Sequence, residues 1–128
     1  MQLHINDRLR VQDLQERFQK CFPLLKLAFY TKPHKRFQVS NDEFLIDHEK
    51  LVGEIRRKGA NGFLEIKSWF TTARVERDLE DKFGLHAQIF RQGPAGAWLQ
   101  TSLSDDLTLY EQGELNNILH HQAANEKH

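Results

Sequence analysis

Polar and apolar residues alternate over Gln2-Leu3-His4-Ile5-Asn6, the period of a half-buried strand. Asn6-Asp7-Arg8 reads as a turn. Val11, Leu14, Phe18, Cys21 and Phe22 then recur at helical spacing as one stripe, which Pro23 ends. Leu25, Leu27 and Phe29 alternate with Lys26, Ala28 and Tyr30, which predicts a second strand. The same order returns downstream. Phe63–Phe70 alternates around Leu64, Ile66 and Phe70, and Thr71 or Thr72 is placed to cap a helix bearing Val75, Leu79 and Phe83. Gly84 supplies a left-handed residue to end that helix, and His86–Arg91 reads as another strand. The two helices share a phrase, Asp13-Leu14-x-x-x-Phe18 and Asp78-Leu79-x-x-x-Phe83, which fits either a duplication or two similar packing solutions.

Two strand–helix–strand units in series predict an α+β fold. The expected form is a ferredoxin-like two-layer sandwich, with an antiparallel sheet covered on one side by two helices. Residues 33–62 join the units. Leu51, Val52 and Ile55 are helically spaced there, Asp47 or Ser40-Asn41-Asp42-Glu43 could start the helix, and the shorter version is preferred. Gly93-Pro94-Ala95-Gly96 is a turn, and Ala97–Thr101 reads as a hairpin strand. Thr108-x-x-Glu111 is a capping box before a short tail helix bearing Leu115, Ile118 and Leu119. The expected organisation is therefore a sandwich over 1–101 with an inserted helical segment at 40–59. An acidic segment at 102–128 follows, its last residues frayed.

The strand period carries the functional argument. If Leu64, Ile66 and Phe70 face the helices, Glu65, Lys67 and Trp69 face away. The same alternation turns His4, Lys26 and Tyr30 outward. With Ile89 and Leu99 inward, Phe90 and Trp98 join them. The candidate contact face is thus Tyr30, Lys67, Trp69, Phe90 and Trp98, since exposed aromatic clusters mark contact surfaces. The alternatives are that Leu107–Leu119 folds back over this face, or that it binds a ligand.

The chain has 128 residues with 18 Lys+Arg against 18 Asp+Glu, so a dedicated polyanion binder is disfavoured. The charge is unevenly spread: residues 1–40 sum to +5 and residues 97–128 to −4. Complementary ends of this kind steer association, within one fold or between copies. Lys32, His34, Lys35 and Arg36 make a candidate basic patch for a phosphate or an acidic partner, against the simpler reading of a solvated loop. No apolar run is long enough to span a membrane, and the N-terminal residues lack a secretory apolar core. One cysteine rules out an internal disulfide and points to the cytoplasm. Cys21 is expected in the core.

No catalytic, cofactor-binding or metal-binding residue is singled out. The seven histidines form no H-x-x-x-H, and neither G-x-S-x-G nor a phosphate loop occurs. Asp105-Asp106 reads as a helix-start pair. Lys58-Gly59-Ala60-Asn61-Gly62-Phe63-Leu64-Glu65-Ile66 has a passing likeness to the RNA-recognition signature, but an aromatic is missing and Glu65 repels phosphate. Residues Phe83–Arg91 and Trp98–Leu109 resemble a group of small uncharacterised bacterial proteins. That resemblance implies a domain type and no functional residues.

The reading is a non-enzymatic interaction module that binds itself or an acidic protein through an aromatic-bearing sheet face or edge. One alternative is a small-molecule binder or enzyme, with its pocket between the sheet and the C-terminal segment. The other is an RNA-binding module.

Overall fold

The computed structural model describes residues 1–33 and 39–115. It is a mixed α+β fold. The strands are β1 (Gln2–Ile5), β2 (Leu25–Tyr30), β3 (Gly62–Glu65), β4 (His86–Gln92) and β5 (Trp98–Gln100). The helices are α1 (Val11–Cys21), α2 (Val52–Ile55), α3 (Thr72–Phe83) and α4 over residues 109–115.

The ferredoxin-like order is not confirmed. β1 pairs antiparallel with β3 in one two-stranded sheet, and β2, β4 and β5 form a second antiparallel sheet in that order. Phe18 and Leu14 of α1 and Leu79 and Val75 of α3 join Leu3, Ile5, Leu27, Phe29, Leu64, Ile66 and Ile89 in one core. A two-stranded sheet is marginal alone in water. Here Leu3, Ile5 and Leu64, which are at most 1% exposed, anchor it to the core.

Local signals set the helix ends. Thr71 Oγ1 accepts the Arg74 N–H at 3.1 Å, and Gly84 ends α3 at φ 62°. Thr108 and Glu111 make the expected reciprocal bonds at the start of α4. Before α2, Asn41 caps a single turn, Asp42–Phe44, and the following residues bridge to the end of β2 at Tyr30 and Leu45. Cys21 departs from expectation. It is exposed, because Phe22 continues the stripe instead, with its ring 5.2 Å from that of Phe18.

The two units share more than element order. Val11 N–H donates to Lys50 O, Gln12 N–H to His48 O, Val52 N–H to Leu9 O, and Gly53 N–H to Asp7 O. Thr72 N–H donates to Leu107 O, Ala73 N–H to Asp105 O, Leu109 N–H to Phe70 O, and Tyr110 N–H to Ser68 O. Partners on the first strand–helix crossing are 61 positions apart (Val11 and Thr72, Leu9 and Phe70), and those on the second 57 (Lys50 and Leu107, Gly53 and Tyr110). Each unit therefore clamps the start of its long helix with the chain that enters its short one. Residues 102–115 are part of this framework. Leu109 and Gln112 are buried, and Gln112 Nε2 donates to Ser104 O.

Gly59 takes φ +84°, and a Cβ there would stand 2.1 Å from the Lys82 carbonyl oxygen. At Gly62 the nearest atoms, on the Phe83 ring, are 3.9 Å away. Gly59→Ala is expected to lower unfolding stability by about 1–3 kcal/mol in urea titration. Gly62→Ala should stay within about 0.5 kcal/mol of the parent. Equal losses at both positions would contradict the geometry.

Candidate interaction site

From Phe63 to Lys67 the residues divide by parity, and the turn that follows exposes both Ser68 and Trp69. Leu64 and Ile66 are buried, whereas Phe63, Glu65, Lys67 and Trp69 face outward. Trp69 is 66% exposed and Phe63 64%. β3 ends at Glu65, and Trp69 sits in a turn closed by Phe70 N–H donating to Lys67 O at 3.0 Å. His4 is the cross-strand partner of Phe63, and their rings stack at 4.6 Å with planes 15° apart. Such closeness is expected of a non-hydrogen-bonded pair.

Lys67 Nζ lies 2.9 Å from Glu65 Oε1 and 5.8 Å from the Trp69 ring centroid. The hydrogen bond from Lys67, and after it the lysine's charge, hold the Glu65 carboxyl below the usual carboxylate range. Arg74 stacks over Phe70 at 3.5 Å, and Phe70 meets Trp69 edge-on. The bond from Tyr110 N–H to Ser68 O brings Tyr110, 64% exposed, alongside this turn. His4, Phe63, Lys67 and Trp69 thus lie on one outer side, with the Tyr110 backbone at the adjoining turn.

Phe90 and Trp98 lie elsewhere, on the outer face of the β2–β4–β5 sheet. Lys26 Nζ sits 5.5 Å from the Phe90 ring and 5.8 Å from the Trp98 ring, and both aromatics are half-buried. Ile89 is buried as expected, and Leu99 shares its face opposite Arg91 but stays exposed at the sheet margin. It folds onto Gly93, where a Cβ would stand 2.6 Å from its Cδ1.

Tyr30 needs the larger correction. It is 3% exposed. The cover comes from two segments that the strand period does not reveal. Thr31 N–H donates to Phe44 O, and Ile46 N–H to Phe29 O, so residues 44–46 flank β2. Further along the face, Ser40 Oγ and Ser102 Oγ both donate to the buried Gln88 Oε1, at 3.0 and 2.9 Å. Residues 40 and 102 cover this face in place of the Leu107–Leu119 segment, whose described part clamps α3. The five expected contact residues therefore do not form one face. Lys67 and Trp69 share the β1–β3 surface, Phe90 and Trp98 share the other sheet, and Tyr30 is buried.

Of the candidate basic patch, Lys32 is exposed, with Nζ 4.4 Å from the Phe44 ring centroid. His34, Lys35 and Arg36 lie outside the described residues. A cavity of about 170 Å³ lies between α3, β4 and the chain near Asp105, lined by Glu76, Glu80, His86 and Asp105 among others. Its walls are engaged in the fold: Glu76 accepts the Ile89 N–H at 2.8 Å, and His86 Nδ1 is 3.5 Å from Glu80. Among the described residues no group of three or more His, Cys, Asp or Glu is placed to hold a metal. No helix among them is long and apolar enough to cross a membrane.

Phe63 and Tyr110 were not singled out from sequence. Phe63 had a usable signal, since it shares the parity of Glu65, Lys67 and Trp69. Tyr110 is brought to this turn by a non-local backbone bond to Ser68. No protein-family model, curated protein or solved structure matches the chain.

Burial, and after it the charge of Asp42, pushes the Tyr30 hydroxyl up to about 12. The folded phenol holds its proton more tightly than the unfolded one. Its stabilising contribution is therefore whole below pH 10 and drains as pH climbs toward 12. In a Tyr110→Phe variant, whose sole tyrosine is Tyr30, ultraviolet titration should show the phenolate forming near pH 12. Ionisation near pH 10 would show that Tyr30 is solvated.

Proposed function

We propose that this chain is a non-enzymatic interaction module that self-associates, and that its contact surface is the outer side of the β1–β3 sheet. One observation carries the reading. Phe63 and Trp69 are each about two-thirds exposed and share the outward parity of the Glu65–Lys67 pair between them, and the equally exposed Tyr110 is joined by its backbone to the adjoining turn at Ser68. Scattered apolar side chains on a surface need no explanation, but exposed aromatics flanking a charged pair on one strand face have the make-up of a contact site. Trp and Tyr dominate binding energy at such sites. The uneven charge along the chain supports steering between copies. The same reading keeps the chain in the cytoplasm, on its single cysteine, and assigns it no cofactor.

A second reading, a small-ligand site, is favoured by the 170 Å³ cavity beside His86. It ranks lower because the polar groups lining that cavity are engaged in the fold, Glu76 accepting the Ile89 N–H and His86 lying 3.5 Å from Glu80. RNA binding draws on Phe63 as a stacking ring, and Glu65 next to it opposes a phosphate backbone.

Light scattering over a concentration series should show a dimer in the parent protein. Trp69→Ala should weaken that dimer about tenfold or more in Kd while leaving unfolding stability nearly unchanged, since the side chain is exposed. A monomer at every concentration would remove the reading.

A further inference from the structure

Within the β1–β3 sheet, Ile66 N–H donates to Met1 O at 2.9 Å, which fixes which backbone groups face β1. Counting along the ladder, Gly62, Leu64 and Ile66 turn theirs toward β1, so Phe63, Glu65 and Lys67 turn theirs to the opposite edge. There the N–H groups of all three, and the carbonyls of Phe63 and Glu65, have no backbone partner among the described residues. The Lys67 carbonyl accepts from Phe70 N–H and keeps a second lone pair. An unpaired strand edge is a template for another strand.

The side chains on this edge have a self-complementary order: aromatic, acid, base, aromatic at Phe63, Glu65, Lys67 and Trp69. The geometry points to a second copy of this chain as the occupant, its β3 edge running antiparallel to the first about a twofold axis through Ile66. This inference rests on the self-association proposed above and adds its register. Glu65 then lies opposite Lys67 of the second copy, and Phe63 beside Trp69 of the second copy. The twofold repeats both pairs. Glu65 and Lys67 exchange backbone bonds across the axis, making a four-stranded sheet. The aromatic pair is a side-chain contact, because Trp69 sits in the turn. Competing registers lose this match. Centring on Glu65 sets it against its own copy, and centring on Leu64 sets Glu65 against Phe63 and leaves Lys67 without an acid.

The test uses charge exchange on the full chain, with folding checked by circular dichroism and mass by sedimentation. Glu65→Lys alone and Lys67→Glu alone each place two like-charged pairs across the axis, and each should weaken self-association about tenfold. An equimolar mixture of the two variants should restore a dimer containing one of each. The double variant Glu65→Lys/Lys67→Glu, which keeps every pair opposite in sign, should assemble like the parent. If the parent dimerises and both single variants do so equally well, the register is overturned while self-association stands. If the parent is monomeric throughout, both fall.

Discussion

Leu64 and Ile66 have almost no exposed surface, and a strand that seals alternate residues in a core has no freedom over where it puts the others. A slip of one residue would bury Glu65 and Lys67 and expose both aliphatics, at a cost of several kcal/mol from desolvated charge alone. Burial of two aliphatic side chains thereby dictates that Phe63, Glu65 and Lys67 meet water. Trp69 follows them, held outward by the turn that the Phe70–Lys67 bond closes. The outward set is a consequence of core packing.

The second constraint is the pair of backbone clamps at the starts of α1 and α3. Each ties the first turn of a long helix to the chain entering a short one. This satisfies N–H groups that a helix start leaves without partners. It also places the start of α4 beside the Ser68–Phe70 turn, where the Tyr110 N–H meets the Ser68 carbonyl. In the first unit the equivalent position is Gly53, where a Cβ would meet the Asp7 side chain at 2.9 Å. The two units share a backbone plan, and the second carries the aromatics.

What was legible in the sequence follows from the range of the interactions involved. Helix ends were legible because Thr71, Gly84 and the Thr108–Glu111 box act within a few residues of themselves. The division of β3 was legible because strand period is local. The β4–β5 hairpin was legible for the same reason, but distant strand partners were not: the pairing of β2 with β4 depends on chain more than fifty residues away. Tyr30 shows the same limit, since its parity was right and its exposure was decided by distant segments. The shared helix phrase, 65 residues apart, was misleading in detail. The backbone bonds align the units at 61, which sets Leu14 with Val75 and Phe18 with Leu79.

The account is tested most directly by amide hydrogen exchange of Glu65 and Lys67, read residue by residue in dilute and in concentrated protein. These N–H groups have no backbone partner among the described residues and would gain one when a second β3 edge docks. The account predicts rapid exchange when dilute and marked slowing when concentrated, with the amides of β2 and β4 unchanged. Exchange at Glu65 and Lys67 that stays fast at every concentration, in a protein that nonetheless dimerises, would contradict it.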